Sequence, residues 1–491
     1  MSIAQRSVRS SMYTIIGSGI NTVVSFFRSI ILARLIAPEV FGVYTFTTSF
    51  ILITASIPIF GMSSALLHHA PESEGEEALR VHFTLTLIFN TFWAIVIAVI
   101  GAFIFPQEYL WLLWIFLATQ FVDNLVITSR TVLIRNVIFK RIAIIDTLNI
   151  ILPTISAILF AWMGYGIIGL ISTDVVAAIV VVFGYLLIRP PWKVHFGWSP
   201  SIARYFLNFG YRTFLGNLLR QALDNFDNLW TGQFLGSISL GYYSRAYTFS
   251  TYPRKVLANP INSVASGTYA ELKENKKQLS QAFFRTNALL IRTGFLMAGL
   301  LALIAPEFIN LVIGKEWLPM LTAFRLMLLF TLLDPIRSTL ANLFIAVGKP
   351  EKILWTRLAQ LGVLIVGLFI FGNIWGIAGV AIAVNMMILT GIVILLLQAR
   401  YFVNFSILRL FSAPAIALLV GMFLGRLAIN IPGVLGSYWR TGIIKSVVFC
   451  ALYVMVLVIL EYKEIPTLLK YLKILLPKRG STSQVMYDSQ K

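Results

Sequence analysis

The sequence is poor in charge and has almost no cysteine. Of its 491 residues, 12% are charged and 58% are hydrophobic, whereas a soluble domain carries about 25% charged residues. A soluble protein could not bury so much apolar surface, because a single core stops growing as the chain lengthens. The single cysteine, Cys450, excludes a disulfide within the chain and leaves no thiol cluster for a metal. The composition therefore predicts an integral membrane protein, for which lipid is the apolar solvent.

Motifs for the common enzyme chemistries are also missing. The sequence has no G-x-x-x-x-G-K-[ST] phosphate loop and no H-E-x-x-H zinc motif, and the adjacent His68 and His69 would point apart on a helix. The connections between apolar runs leave no room for a catalytic domain. We therefore expect no enzyme, with no catalytic residues, no metal and no cofactor. We also expect no removable signal peptide, because the first apolar run has no small-residue cleavage site.

What the sequence has in quantity is long apolar runs. A helix needs about 20 mostly apolar residues to cross the hydrocarbon core. The runs predict an all-α integral membrane protein with about 14 transmembrane helices. Their positions are near 11–34, 43–67, 82–105, 109–129, 142–163, 165–188, 207–231, 240–264, 286–305, 319–347, 353–371, 375–398, 410–430 and 441–460. The remaining 461–491 predict an amphipathic helix at the inner interface and a disordered cytoplasmic tail.

Charge is distributed unevenly between the connections. The formal net charge is +19, and a basic soluble protein would be a candidate for nucleic-acid binding. Here about 24 basic residues fall on one side of the predicted topology and about four on the other, as the positive-inside rule requires. We therefore expect no nucleic-acid partner, but a multi-pass protein of the plasma (inner) membrane with both termini cytoplasmic. Anionic membrane lipids are expected to contact the basic loops.

The two halves of the sequence resemble each other. Residues 33–44 align with 232–243 at an offset of 199 residues, so that Gly42 matches Gly241 and Tyr44 matches Tyr243. Further on, 166–170 aligns with 376–380. We therefore predict two six-helix lobes in parallel repeat, at 1–200 and 201–400, with two extra helices at 401–460. Two such halves commonly enclose a substrate path.

Several charged and amide side chains lie inside the predicted helices. A charge at mid-bilayer costs about 2.5–3.5 kcal/mol at least, so such residues face a partner or a watery cavity. Basic residues outnumber acidic ones, and a cationic cavity suits an anionic substrate that arginine can grip through phosphate oxygens. The candidates for that cavity are Arg28, Arg220, Arg245 and Arg292. The candidates for ion coupling or a polar stripe are Asn21, Ser25, Asn217, Asp224, Asp227, Asp123 and Asp334. The alternative is purely structural, with ion pairs such as Arg220–Asp224 or Asp334–Arg337.

The first and second predicted helices carry a family resemblance. The run Ala-Arg-Leu-x-x-Pro-Glu-x-Phe-Gly-x-Tyr at 33–44, within 19–44, resembles the start of bacterial Wzx-type polysaccharide flippases of the multidrug/oligosaccharidyl-lipid/polysaccharide exporter superfamily. Phe209-Gly210 and residues 227–243 resemble that family's second half, and the likeness covers roughly 5–400. It implies two lobes, alternating access and basic cavity residues that contact pyrophosphate.

The resemblance also implies a substrate. This is an oligosaccharide repeat unit on undecaprenyl pyrophosphate, flipped from the inner to the outer leaflet for surface polysaccharide biosynthesis. Membrane lipids and other polysaccharide assembly proteins would be the further partners. A lipid II flippase and a cation-coupled multidrug antiporter of the same superfamily stay open as alternatives. The antiporter would favour acidic cavity residues, whereas basic ones dominate here.

Overall fold

The computed structural model describes residues 3–68, 71–427 and 438–462. Within these ranges every regular element is helical. The helices are α1 (Ile3–Leu35), α2 (Pro38–Leu52), α3 (Met62–His68), α4 (Pro71–Ile104), α5 (Leu110–Leu125), α6 (Ile127–Arg135), α7 (Phe139–Trp162), α8 (Gly166–Val182), α9 (Pro200–Pro253), α10 (Asn259–Leu272), α11 (Lys276–Leu303), α12 (Ala305–Phe308), α13 (Leu321–Ala346), α14 (Glu351–Gly367), α15 (Asn373–Ala399), α16 (Ile407–Leu427) and α17 (Tyr438–Glu461). The prediction of an all-helical protein is confirmed. The predicted tail lies almost wholly outside the described residues.

Several short segments depart from α-helical hydrogen bonding. The π-helical segments are Phe183–Leu187, Arg254–Ala258, Ile309–Ile313 and Leu368–Gly372, and short 3₁₀ turns cover Gln107–Tyr109 and Lys315–Met320. α9 is broken at Gly236, whose φ of 82° is a left-handed value that glycine adopts without a Cβ clash. We call the parts before and after Gly236 the first and second halves of α9.

One predicted span is not a continuous helix. The apolar run at 43–67 breaks after α2, and helix resumes only with α3. Pro58 lies in the gap and offers no backbone N–H, and Gly61 takes a φ of 69°. Apolar composition predicted the run, but the local backbone chemistry divides it.

Membrane-spanning character is clear from length and exposure. Among the described residues, nine helical segments are long and apolar enough to cross a bilayer. Their outer surfaces carry bare aromatic side chains, such as Phe103 at 87% and Trp162 at 75% exposed. Such exposure would be costly in water but not in lipid. The chain is a multi-pass membrane protein, and the number of spans stays a prediction.

The chain divides into two compact units. The first unit comprises Met1–Tyr252, Phe308–Met327 and Leu354–Gly391, and the second comprises Pro253–Glu307, Leu328–Ile353 and Ile392–Lys491. In the first unit, α7 packs on α1 and α8, and α5 packs on α2, α4 and α8. In the second, α11 packs on α10, α16 and α17. The predicted lobes at 1–200 and 201–400 stay a prediction.

The first unit contains a reciprocal contact between the two matching glycines. A Cβ added to Gly42 on α2 would lie 1.8 Å from the carbonyl oxygen of Ser237 on α9. A Cβ added to Gly241 would lie 1.8 Å from the carbonyl oxygen of Pro38. Ser237 lies 199 residues after Pro38, and Gly241 lies 199 residues after Gly42. The two contacts therefore join equivalent positions of the repeat. They agree with the repeat expected from the sequence.

Candidate functional site

Two arginines of the first unit lie on different helices and interact through their charges. Arg28 is on α1, and Arg245 is on the second half of α9; both are half-buried. Their two positive charges repel each other. The guanidinium carbon of Arg245 lies 4.3 Å from the ring centre of Phe41 on α2, a cation–π distance. The family-like run at 33–44 therefore contacts the cationic pair through Phe41.

The two arginines of the cationic pair have no salt-bridge partner among the described residues. Within the described part of the chain, neither Arg28 nor Arg245 forms an ion pair, and the buried Nε of Arg245 has no hydrogen-bond partner. A buried donor without an acceptor costs about 1–3 kcal/mol, and more when it is charged. The pair is therefore arranged to gain from an anion that arrives from outside the chain.

An acidic residue that acts on Arg28 is hydrogen-bonded to a tyrosine. Asp174 on α8 interacts electrostatically with Arg28, and its carboxylate accepts a hydrogen bond of 2.9 Å from the Tyr44 hydroxyl. Asp123 on α5 is half-buried and interacts with Asp174. The Asp174 carboxylate partly offsets the positive field of Arg28 but forms no salt bridge with it in the described structure, whereas the basic residue that acts on Asp123 is Arg130.

A tyrosine fixes the second half of α9 against α1. The Tyr252 hydroxyl donates to the carbonyl oxygen of Ser25 at 2.8 Å and lies 2.8 Å from the Ser29 hydroxyl. Its ring meets Phe26 edge-on, with 4.9 Å between ring centres. These contacts hold the helix segments that carry Arg28 and Arg245 in register. Sequence reasoning placed Ser25 in a polar stripe but missed the anchor.

The remaining predicted residues of the first unit do not share one environment. On the first half of α9, Asn217, Arg220 and Asp224 are exposed. The Arg220–Asp224 ion pair offered as a structural alternative stays a prediction. On α1, Asn21 is half-buried and its Oδ1 has no hydrogen-bond partner.

Asp227 is the buried member of the predicted stripe. It is 5% exposed, and its carboxylate accepts two hydrogen bonds. One comes from the Tyr243 hydroxyl at 2.5 Å, and the other comes from the backbone N–H of Asn228 at 2.9 Å. Both hydrogen bonds satisfy its carboxylate. The structure therefore gives Asp227 an internal role in joining the two halves of α9, and its part in ion coupling stays a prediction.

The predicted residues of the second unit are firmly paired. Arg292 on α11 is 7% exposed and binds Glu461 on α17 through two hydrogen bonds of 2.7 and 2.5 Å. Asp334 on α13 is 2% exposed and pairs with both Arg254 and Arg337. The Asp334–Arg337 pair is the one that the structural alternative proposed. The structure thus places Arg28 and Arg245 within electrostatic range of each other, and it places Arg292 and Asp334 in separate ion pairs.

Tyr44 and Asp174 are the partners that sequence reasoning missed. Tyr44 belongs to the family-like run, but it served there only to mark the repeat. Asp174 is the one acidic residue in α8, whose other residues are mostly apolar. A lone carboxylate in such a helix was the available signal. Among the described residues, no group of three or more His, Cys, Asp or Glu side chains is placed to hold a metal.

Comparison with known proteins gives the family. Residues 31–322 match the family described as "Polysaccharide biosynthesis protein". The chain belongs to this polysaccharide biosynthesis family. One relative is the succinoglycan biosynthesis transport protein ExoT of Rhizobium meliloti (strain 1021), which is 25% identical over 307 residues. That match covers 58% of either chain, so the chain spans little more than half the length of this relative.

A second relative of this chain comes from Klebsiella pneumoniae. It is described as an uncharacterized membrane protein in the cps region, and it is 22% identical over 402 residues, covering 78% of this chain and 80% of the relative. The run at 33–44 that carried the resemblance lies inside the matched family region. The expected kinship with polysaccharide exporters is confirmed.

Solved structures of similar fold are transporters. The lipid II flippase MurJ, in an inward closed conformation, matches with a TM-score of 0.76 at 17% identity and covers 93% of this chain and all of that one. An inward-facing multidrug resistance MATE family transporter of the MOP superfamily matches with a TM-score of 0.60 at 18% identity, covering 81% and 97%. At these identities, the likeness shows the fold of this polysaccharide biosynthesis family member.

Proposed function

We propose that this protein flips oligosaccharide repeat units carried on undecaprenyl pyrophosphate from the inner to the outer leaflet of the plasma membrane. The observation that carries the proposal is the cationic pair of Arg28 and Arg245, neither of which forms a salt bridge among the described residues. The family is one of polysaccharide biosynthesis, and the Rhizobium relative is named as a transport protein. The product would serve surface polysaccharide assembly.

The chemistry of a pyrophosphate fits the pair. Each guanidinium offers several N–H donors in a planar fork, which matches two phosphate oxygens at once. The adjacent phosphates of a pyrophosphate could engage both arginines and relieve their mutual repulsion. Arg220, exposed on the first half of α9, is a further basic candidate for the path of the substrate.

Transport also requires that the anion leaves. Asp174 places negative charge near Arg28 and keeps the positive potential of the pair moderate. A site that binds only moderately well can load on one side and release on the other by alternating access. Asp123, Asp224, Asp227 and Asp334 stay candidates for ion coupling, and the coupling ion is part of the proposal to be tested.

The lipid II flippase role is the nearest alternative. Its fold matches at a TM-score of 0.76, and a polyprenyl pyrophosphate would suit the same two arginines. The multidrug antiporter role has a weaker physical basis. Arg28 and Arg245 would both repel a cationic drug, because like charges interact unfavourably. The partners would be the lipid-linked saccharide, membrane lipids and other polysaccharide assembly proteins. Both termini of the protein would be cytoplasmic.

Proteoliposomes test the proposal directly. Fluorescent undecaprenyl-pyrophosphate oligosaccharide is placed on both leaflets, and its access to an external quencher is followed over time. We expect protein-dependent translocation that falls about 10- to 100-fold in Arg28→Gln and in Arg245→Gln, because each loses charge-assisted hydrogen bonds. Arg400→Gln, which removes an exposed arginine outside the pair, should transport normally.

Parallel vesicles separate the alternatives. Lipid II in place of the oligosaccharide lipid tests the first alternative, and a cationic dye with a proton or sodium gradient tests the second. Normal translocation in both arginine variants, with intact expression and folding, would overturn the proposed site. Faster flipping of lipid II than of the oligosaccharide lipid would favour the lipid II role.

A further inference from the structure

A second basic site lies in the second unit, where α11 and α16 begin. A cavity of about 440 Å³ is lined by two arginines, Arg285 and Arg409, with no acidic residue. Its other lining residues are Ser280, Gln281, Phe284, Asn404, Phe405 and Ser406. Its volume falls in the range typical of small-molecule sites. It is distinct from the cationic pair, which lies in the first unit.

The two arginines of this cavity have no partner in the described structure. Neither Arg285 nor Arg409 forms an ion pair or a side-chain hydrogen bond there, and Arg285 is half-buried while Arg409 is exposed. Both belong to the basic set that the charge pattern places on the cytoplasmic side. Two unpaired guanidinium groups facing one cavity predict an anionic ligand with oxygen acceptors.

The cavity is held open by contacts that do not involve the arginines. The backbone N–H of Asn404 donates to the Ser280 hydroxyl at 2.9 Å, and Lys276 Nζ donates to the carbonyl oxygen of Tyr401 at 3.3 Å. The rings of Phe283 and Phe405 lie 5.3 Å apart. These contacts fix the connection before α16 against the start of α11, so the site is formed before a ligand binds.

The surroundings of Arg409 distinguish a lipid from a soluble anion. Leu408, its neighbour at the start of α16, is 77% exposed, and Ile407 is 38% exposed. Phe284 and Phe405 add apolar walls to the cavity itself. A ligand with a charged head and an apolar chain could satisfy both surfaces at once. Basic pockets between transmembrane helices on the cytoplasmic side bind anionic lipid headgroups in this way.

We propose that Arg285 and Arg409 bind the phosphate of an anionic phospholipid in the cytoplasmic leaflet. The Asn404 and Gln281 side chains lie where they can hydrogen-bond a polar headgroup such as glycerol. The bound lipid occupies a site in the second unit and is not transported. The shared chemistry is a phosphate group, so free phosphate in solution is the competing source.

Native mass spectrometry of the purified full-length protein tests this proposal. The protein is held in mixed micelles that contain phosphatidylglycerol or phosphatidylethanolamine, and the apparent Kd for each lipid is measured. We expect phosphatidylglycerol to bind more tightly. The Kd should rise about 5-fold in Arg285→Gln and in Arg409→Gln, and about 30-fold in the double variant, because each basic group near the headgroup contributes a comparable increment.

Controls separate charge from folding and lipid from phosphate. Arg400→Gln removes an exposed arginine of the same connection that does not line the cavity, and it should leave the Kd unchanged. The double lysine variant, Arg285→Lys with Arg409→Lys, should recover most of the binding. Thermal unfolding of each variant verifies that the fold is intact. Unchanged phosphatidylglycerol binding in a folded double glutamine variant overturns the proposal. Displacement of the lipid by millimolar inorganic phosphate would overturn the lipid assignment in favour of a soluble anion.

Discussion

Both units contain basic residues within their helices, but the two units differ in whether these residues form ion pairs. In the first unit, Arg28 and Arg245 repel each other, and no salt bridge neutralises them in the described structure. In the second unit, Arg292 binds Glu461 and Lys445 binds Glu307, with each of these four side chains no more than about one tenth exposed. The same residue types thus occur in apolar surroundings with and without internal counter-ions.

The difference separates structural charge from functional charge. In a buried ion pair with good geometry, the attraction between the two charges offsets the free energy of removing them from water, although the pair adds little net stability. The paired residues of the second unit join α17 to α11 and α12. Arg28 and Arg245 of the first unit form no such ion pair in the described structure, and the proposed function assigns them an anionic substrate. Three changes would break or sharpen this comparison.

Removing the shared carboxylate of the second unit should have the largest effect. Asp334→Asn leaves Arg254 and Arg337 without the charge that both of them contact. Because breaking a buried ion pair strands its partner, we expect the free energy of unfolding to fall by about 3–5 kcal/mol. Denaturant unfolding in detergent micelles measures this loss.

A surface pair supplies the control for that change. Asp146 pairs with Arg130 at 3.2 Å, and both side chains are at least one third exposed. Asp146→Asn should cost at most about 1 kcal/mol, since water screens exposed pairs. Equal losses in the two variants would mean that burial does not decide how much an ion pair contributes to the free energy of unfolding.

Supplying a carboxylate to the first unit should have the next largest effect. Ser25 precedes Arg28 by three residues, which is the spacing of Asp334 and Arg337. Ser25→Asp would copy that ion pair into α1 and neutralise half of the cationic pair. We expect translocation in proteoliposomes to fall about 10-fold, since a charge-assisted contact with the substrate is lost. The free energy of unfolding should not fall.

The isosteric Ser25→Asn variant isolates the charge. It has nearly the same shape as aspartate but carries no charge, so its transport should stay within about 2-fold of the unchanged protein. If the asparagine variant lost as much transport as the aspartate variant, the effect would be steric. The positive charge of Arg28 would then not be what transport requires.

Loosening the anchor between α1 and α9 should have the smallest effect. Tyr252→Phe keeps the ring against Phe26 but removes the hydroxyl that bonds Ser25 and Ser29. We expect a loss of about 1 kcal/mol in the free energy of unfolding and a small decrease in transport. Tyr242→Phe is the matched control: its ring packs on Trp317, and its hydroxyl makes no hydrogen bond in the described structure. Greater destabilisation by the control than by Tyr252→Phe would contradict the anchoring role.

Much of the fold could be predicted because membrane helices leave a strong local signal. The runs near 142–163 and 165–188 correspond closely to α7 and α8, with the turn at Gly164 between them. The break in the run at 43–67 was harder to predict, since apolar composition continues through it. There Pro58 and Gly61 act on the backbone without changing hydrophobicity.

The site was only partly predictable, because pairing depends on contacts between distant positions. The cost of charge in lipid pointed equally to Arg245 and Arg292. Only the structure shows that Glu461, 169 residues away, satisfies Arg292. Asp334 and Arg337 lie three residues apart, so their pair could be predicted from helical spacing. Asp174 was missed because its partner Tyr44 is on another helix.

The reciprocal glycine contact has a consequence for how the site could arise. In a homodimer with two-fold symmetry, one surface patch meets its own copy, so every contact occurs twice. Gly42 against Ser237 and Gly241 against Pro38 form such a doubled contact within one chain. Identical subunits must carry identical residues, whereas a fused chain can change one copy alone. At the same offset of 199 residues, Arg28 corresponds to Asp227 and Arg245 to Phe46. One pair of arginines, with Asp227 and Phe46 at the equivalent positions in place of a second pair, is therefore an asymmetry that duplication permits, whereas a dimer of equal halves would carry the pair twice.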